Sequence, residues 1–227
     1  MAKDRPPKPP AGLADRFPLR WQELPLSRGV IGLFVLKDPD ALLDALTQEE
    51  FDKNDARMPY WATVWPAALA LADVIATGPR LDGKRVLDLG CGLGPVGLSA
   101  LERGAQVTFL DWEADAVALA CASASALDGA SFDGISADWR SPPPMPRFDL
   151  VCAADVLYEA RNGPAVAAFL AAHLSDGGEA WVADPDRLHA REFPADLPGS
   201  GLSLRATETL PPRDGATRLT LWRIGRA

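Results

Sequence analysis

Four aspartates, one glycine-rich turn and one tyrosine have the types and spacing in this sequence to do chemistry. The turn is DLGCGLGPVG, Asp88 to Gly97, in which Gly92, Gly94 and Gly97 satisfy a literal GxGxxG. It follows the apolar run RVLDL and opens a second apolar stretch at Pro95, the arrangement of a strand, a tight loop and a helix. Asp111 lies 19 residues beyond Gly92, at the end of the run QVTFL, where a carboxylate can grip ribose hydroxyls. Two nucleoside cofactors suit this pattern, a dinucleotide such as NAD and the sulfonium compound S-adenosylmethionine. Charge separates them. Asp88, two residues before Gly90, repels a pyrophosphate and attracts an ammonium or sulfonium group in a site of low effective dielectric. Pro95 removes an N–H from the helix end that would cradle phosphate. Trp61, Trp65, Trp112 and Trp139 suit an adenine face and a sulfonium, each ring attracting a cation by ~0.5–2 kcal/mol. S-adenosylmethionine is therefore the expected cofactor, and NAD is disfavoured.

Other catalytic inventories are short of parts. His173 and His189 are the only histidines, and neither stands in an HExxH or facial-triad context, so neither metal hydrolysis nor a Ser-His-Asp triad is expected. Cys91, Cys121 and Cys152 are an odd number, about 30 residues apart, with no CxxC pair. They read as small buried thiols in a reducing compartment, and no metal is expected. Among the 227 residues, 23 Lys and Arg stand against 31 Asp and Glu, a net charge of −8. Such a field repels phosphate backbones and anionic lipid, so neither nucleic acid nor membrane is expected as a partner. No apolar run reaches the ~18 residues of a membrane span, and MAKDRPPKPP lacks an apolar signal core. A cytoplasmic location is the corresponding expectation.

The elements that must position these residues follow from periodicity. Residues 1–18, with Pro6, Pro7, Pro9, Pro10 and Pro18 among charges, read as a mobile tail unable to form helix. Two short apolar runs between Leu19 and Leu36, split by Pro25, Ser27 and Gly29, read as a hairpin. A short helix start at Pro39–Leu46 and an acidic connector, Gln48 to Asp55, complete a segment 19–57. The catalytic unit is expected over 58–227. Within it Met58–Ile75 carries aromatics and then a helix with Pro66 in its first turn. RVLDL, a helix from Pro95 to Arg103, QVTFL and a helix from Glu113 to Leu127 alternate as βαβα, hence a parallel sheet with right-handed crossovers. Further strands are expected at FDGIS, FDLVCAA, EAWVAD, LSLRATETL and TRLTLWRI, with a helix Ala165–Leu174 after FDLVCAA.

Taken jointly, VLDLGCGLG, VTFLDWEADAV, ISADWR and FDLVCAADVLYE resemble class I S-adenosylmethionine-dependent methyltransferases. Within that class PYWATVWPAALALA, DWR, the quartet Asp155-Val156-Leu157-Tyr158 and VADPDR resemble the DxxY lysine methyltransferases, a family that includes the enzyme acting on the electron transfer flavoprotein β subunit. The resemblance implies a Rossmann-like seven-stranded α/β sheet, mostly parallel, in the order 3-2-1-4-5-7-6, with helices on both faces and the last strand antiparallel. It implies that Asp88, Gly90, Gly92 and Gly94 border the methionine half of the cofactor and that Trp65 covers that end. Asp111 would take the ribose hydroxyls, with Trp112 near the adenine, Asp138 and Trp139 at its edge and face, and Ala154 on the pocket floor. Asp138 equally suits a turn cap before Arg140. One departure is visible: Ser123 and Ser125 stand where family members often carry asparagines.

Asp155, at a strand's C-terminal edge, is costly to bury unpaired unless it does something. With Tyr158 it forms the expected catalytic pair, binding an ammonium and orienting its lone pair after the proton leaves. The implied reaction is methyl transfer to a nitrogen nucleophile, foremost a protein lysine. A small-molecule amine is the alternative acceptor, since a fold does not determine its substrate, and a cofactor-binding scaffold without catalysis is the alternative of another class.

Overall fold

In a computed structural model of the protein, the residues described are 7–9, 11–44, 58–212 and 218–227. Strands β1 (Leu19–Pro25) and β2 (Val30–Leu36) form the expected antiparallel hairpin, with Trp21 edge-on to Phe34 at 5.0 Å. Strands β3 (Arg85–Leu89), β4 (Gln106–Asp111), β5 (Ser131–Ser136), β6 (Phe148–Ala154), β7 (Leu174–Asp184), β8 (Leu202–Leu210) and β9 (Leu219–Arg226) form one sheet. Their order is β5-β4-β3-β6-β7-β9-β8, which is 3-2-1-4-5-7-6 within this sheet. β3, β4, β5, β6 and β7 pair in parallel, and β9 runs antiparallel between β7 and β8. The chain builds outward from β3 to β5 and then returns to β6 on the other side, so the switch in direction falls between β3 and β6. In open α/β sheets that is where ligands bind, at the strands' carboxyl ends.

The apolar strands are explained by burial on both sides. Val86, Val107, Leu150 and Cys152 join a core beneath the helices α3 (Pro66–Thr77), α4 (Pro95–Glu102) and α5 (Ala114–Ala124) and the hairpin. Their neighbours Leu87, Val151 and Ala153 join a second core with Val166 and Phe169 of α6 (Asn162–His173) and Phe193 of α7 (Phe193–Asp196). Alternate side chains thus serve opposite layers, and the central strands are buried on both faces. α3 begins with Pro66 at its first position and ends at Gly78, whose carbonyl accepts from Arg103 at 2.6 Å.

The N-terminal segment departs from expectation. Ala11–Ala14 form one helical turn, α1, and Phe17 is buried edge-on to Trp61 at 5.7 Å. Four of the five prolines precede Ala11 and Pro18 follows the turn, which leaves Ala11–Ala14 free to turn, and tertiary burial of Phe17 supplies what composition does not. Arg16 adds a two-pronged contact to Asp115 in α5, at 2.5 and 2.6 Å. The helix start after Pro39 is α2 (Asp40–Asp44); the rest of it, and the acidic connector, lie outside the described residues. α5 is shorter than the expected Glu113–Leu127, and α6 begins three residues before the expected Ala165. Among the described residues no helix is long and apolar enough to cross a membrane.

Candidate active site

A cavity of about 640 Å³ opens over the carboxyl ends of β3, β4 and β6. Eleven of the twelve residues singled out in the sequence line it: Trp65, Asp88, Gly90, Gly92, Asp111, Trp112, Asp138, Trp139, Ala154, Asp155 and Tyr158. Gly94 does not. Its φ of 80° turns the chain into α4, and a Cβ there would lie 2.8 Å from that of Ala120, so its service is close packing rather than contact with a ligand. Gly90 (φ 66°) does face the cavity, where a Cβ would meet Val156 at 2.8 Å and the Trp139 ring at 3.2 Å.

The carboxylates hold the protein's own backbone before they meet any ligand. Asp88, buried within β3, accepts the N–H of Gly97 at 2.8 Å, a donor in the first turn of α4. Pro95, at the helix's first position, supplies no N–H. The end that would cradle a pyrophosphate is thus occupied by a carboxyl already, which favours a cationic group beside it. Burial pushes the Asp88 carboxyl up to about 7, opposed by the Gly97 bond and reinforced by Asp111. Asp111 Oδ2 accepts from Gly92 N–H at 2.9 Å and Oδ1 from Glu113 N–H at 3.0 Å, and burial raises this carboxyl too. Each oxygen keeps a lone pair with which to accept a ribose hydroxyl.

The aromatic walls are distributed around these acids. Trp112 stands with the Arg140 guanidinium 5.8 Å from its ring centroid. Trp139 carries a buried indole N–H with no partner among the described residues, a donor left for a ligand. Asp138 is engaged by Arg140 through its backbone N–H at 2.9 Å and its guanidinium at 2.7 Å, and the side-chain bond holds its carboxyl below the usual range. It caps that turn and lines the cavity as well. Trp65 donates its indole N–H to the Tyr60 carbonyl at 2.8 Å, placing its ring at the mouth with Tyr60 and Tyr158. A cavity of this size, with paired buried acids, aromatic walls and an orphan donor, fits an S-adenosylmethionine-sized cation.

Asp155 requires a correction. From the sequence Asp155 is expected to be an unpaired carboxylate, but Arg187 Nε donates to its Oδ1 at 2.5 Å. The pair spans 32 positions, and nothing local to Asp155 announces it. Its Oδ2 is buried with no partner among the described residues. Asp155 takes the left-handed backbone, φ 58°, and its N–H donates to Ala183 of β7 at 2.9 Å. Tyr158 is 38% exposed, its hydroxyl has no hydrogen bond among the described residues, and burial of its ring side pushes the phenol up.

Arg187 is the cavity residue the sequence reading missed. Its signal was the VADPDR run: Asp184 ends β7, and its Oδ1 accepts the Arg187 N–H at 2.7 Å. Tyr60, Glu159, Arg161 and Asn162 also line the cavity unannounced.

Comparison with known proteins decides the family. The profile of the methyltransferase-domain family matches residues 60–206. The chain belongs to that family, as a class I S-adenosylmethionine-dependent methyltransferase. The methyltransferase is 27% identical over 183 residues to the electron transfer flavoprotein β-subunit lysine methyltransferase of Xenopus laevis, covering 71% of this chain and 72% of that one. It is 28% identical over 109 residues to a histidine protein methyltransferase 1 homologue of Dictyostelium discoideum, covering 45% of this chain and 35% of that one. In fold it is similar to the S-adenosylmethionine-bound magnesium protoporphyrin IX methyltransferase of Synechocystis PCC 6803. The TM-score is 0.58 at 20% identity, over 85% of this chain and 99% of that one. Among the described residues no group of His, Cys, Asp or Glu could hold a metal ion.

Proposed function

We propose that the methyltransferase acts on a nitrogen nucleophile, foremost the side-chain amine of a protein lysine. The observation that carries this is Asp155 Oδ2, a buried carboxylate oxygen without a partner among the described residues, at the edge of the cofactor cavity. An ammonium suits such an oxygen, and Tyr60, Tyr158 and Trp65 frame the approach to it with rings that attract cations. The lysine methyltransferase relative supports a protein acceptor. S-adenosylmethionine supplies the methyl group on its sulfonium: the new N–C bond forms as the C–S bond breaks, and the C–S electrons remain on a neutral sulfur. The chain's own work is to hold the amine in line and let its proton go first, since a free lysine has pKa ~10.4. Asp155 receives the ammonium, and the Tyr158 hydroxyl orients the lone pair once water has taken the proton.

The test is transfer of labelled methyl from S-adenosylmethionine into an extract of the native cells from which the gene for this enzyme has been deleted. A labelled protein band with the label on lysine supports the proposal. Label in the small-molecule fraction moves the acceptor to a free amine, and label in neither fraction despite cofactor binding leaves a scaffold. Asp155→Asn should lower turnover ~100-fold or more, with cofactor affinity nearly unchanged.

A further inference from the structure

Arg187 touches three walls of the cavity at once. Its Nε donates to Asp155 after β6, its backbone N–H is held by Asp184 at the end of β7, and its guanidinium carbon lies 5.7 Å from the centroid of the Trp65 ring at the start of α3. The loop that delivers it is bent for the purpose: Asp186, just before it, takes a left-handed backbone with φ 64°, as Asp155 does with 58°. Such backbone is uncommon outside glycine and persists where surrounding contacts over-determine it. The Asp155 side chain is 3% exposed and that of Arg187 36%, so the pair is shielded on the carboxylate side and open on the other.

We propose that Arg187 is a positioning residue for methyl transfer: it fixes Asp155 so that Oδ2 alone is offered to the acceptor, and it offsets enough negative charge for a bound amine to lose its proton. This rests on the reading that Asp155 receives the amine. The charge argument is direct. Asp155 and Asp184 bring two carboxylates to one corner, and the second oxygen of Asp184 is also buried without a partner among the described residues. Two uncompensated carboxylates would hold an ammonium in its charged form, which cannot attack a methyl group, because the lone pair is engaged by the proton. With Arg187 in place one of those charges is offset, so the amine is still attracted yet gives its proton to water more readily. The other ionisable groups around this corner are Tyr158, Glu159 and Arg161 from the β6 side, Asp186 and Arg191 from the β7 side, Tyr60 from the mouth and Asp111 from β4. Glu159 pairs with Arg161 at 2.5 Å and Asp186 with Arg191 at 3.4 Å, and among the described residues Arg187 is the cation in direct contact with Asp155.

The experiment is the pH profile of labelled methyl transfer into the gene-deleted extract, read on whichever fraction wild type labels, for wild type, Arg187→Gln, Arg187→Lys and Asp155→Asn. Arg187→Gln keeps a hydrogen-bond donor and removes the charge. Its rate should fall ~10-fold near neutrality, the acid limb of the profile should move up by about one pH unit, and activity should recover in alkali. Arg187→Lys, which keeps the charge, should leave the limb where it is. Cofactor affinity should stay within about twofold in all three variants, since the corner lies on the acceptor side. A uniform loss across pH in Arg187→Gln, or equal impairment in Arg187→Lys, would overturn the inference and leave a merely structural ion pair. Should Arg187→Gln not fold, Arg187→Met makes the same charge deletion with the alkyl stem kept. An Asp155→Asn variant with wild-type turnover removes the underlying reading of the site instead, so the two failures are distinguishable.

Discussion

In the cofactor-free enzyme Asp88 should titrate near neutrality, and S-adenosylmethionine should expel its proton on binding. Burial raises its carboxyl from the ordinary 3.8 to about 7, a gap worth about 4 kcal/mol. The folded state therefore holds this proton more tightly than the unfolded chain does. Ionising Asp88 costs nothing below the ordinary value; the cost grows as pH rises and is complete above about 7. Asp88→Asn preserves an acceptor for Gly97 and removes the titration. In the absence of cofactor the variant should gain stability over wild type as pH rises, by up to about 4 kcal/mol above neutrality. A cofactor ammonium beside Asp88 reverses the preference of the carboxyl. Binding near pH 6 should then release about 0.9 proton and near pH 8 about 0.1, with affinity rising ~10-fold per pH unit until it levels off near neutrality. Calorimetry in phosphate and imidazole buffers measures the released proton directly, and Asp88→Asn isolates Asp88 from Asp184, whose carboxyl burial raises to about 6. Identical binding heats in the two buffers near pH 6 would refute the reasoning.

Asp111→Ala should weaken S-adenosylmethionine binding by ~1.5–3 kcal/mol, because it removes a charged acceptor for the ribose and also the two N–H bonds that seat the glycine loop; titration calorimetry checks it. Gly90→Ala forces a side chain onto a φ of 66° and into Val156, so cofactor affinity should fall more than ~10-fold in a variant with a lowered melting temperature. Phe17→Ala should cost about 3 kcal/mol in a denaturant titration, whereas Arg16→Ala, which breaks only an exposed ion pair, should cost less than ~1 kcal/mol.

How far the sequence could be read depended on the range of the interaction. The parallel order of the sheet and the βα loop at Asp88–Gly97 were legible because each is written locally: apolar runs of strand length, glycines at positions of positive φ, and helices between them. Phe17 was illegible for the opposite reason. Its burial depends on Trp61, more than forty residues away, and the surrounding prolines argue for solvent. The Asp155–Arg187 pair is the same case at the site itself. Ser123 shows how a departure from family pattern can still be structural: fully buried, its hydroxyl accepts the Phe34 N–H at 2.9 Å and donates to the Leu119 carbonyl at 2.8 Å. That hydroxyl fastens the hairpin to α5, a demand that exists only once the hairpin is folded against it.

The aspartates of the sheet express one design with different outcomes. Asp88 stands one residue before the end of β3, Asp111 ends β4, Asp155 follows β6 and Asp184 ends β7. Each spends acceptor capacity on the chain itself: Gly97 for Asp88, Gly92 and Glu113 for Asp111, Arg187 for both Asp155 and Asp184. Those bonds fix the loops, so the three acids that line the cavity, Asp88, Asp111 and Asp155, are already ordered when a ligand arrives. The division between the two halves of the site follows from the partners. Among the described residues the acids over β3 and β4 accept from backbone N–H groups, Asp88 from Gly97 and Asp111 from Gly92 and Glu113. The acid over β6 meets the guanidinium of Arg187, which on the proposed reading would temper its hold on an acceptor ammonium. On the proposed reading, in which the cofactor's cation is held and an acceptor ammonium must lose its proton, that asymmetry is what the Arg187 contact to Asp155 would supply.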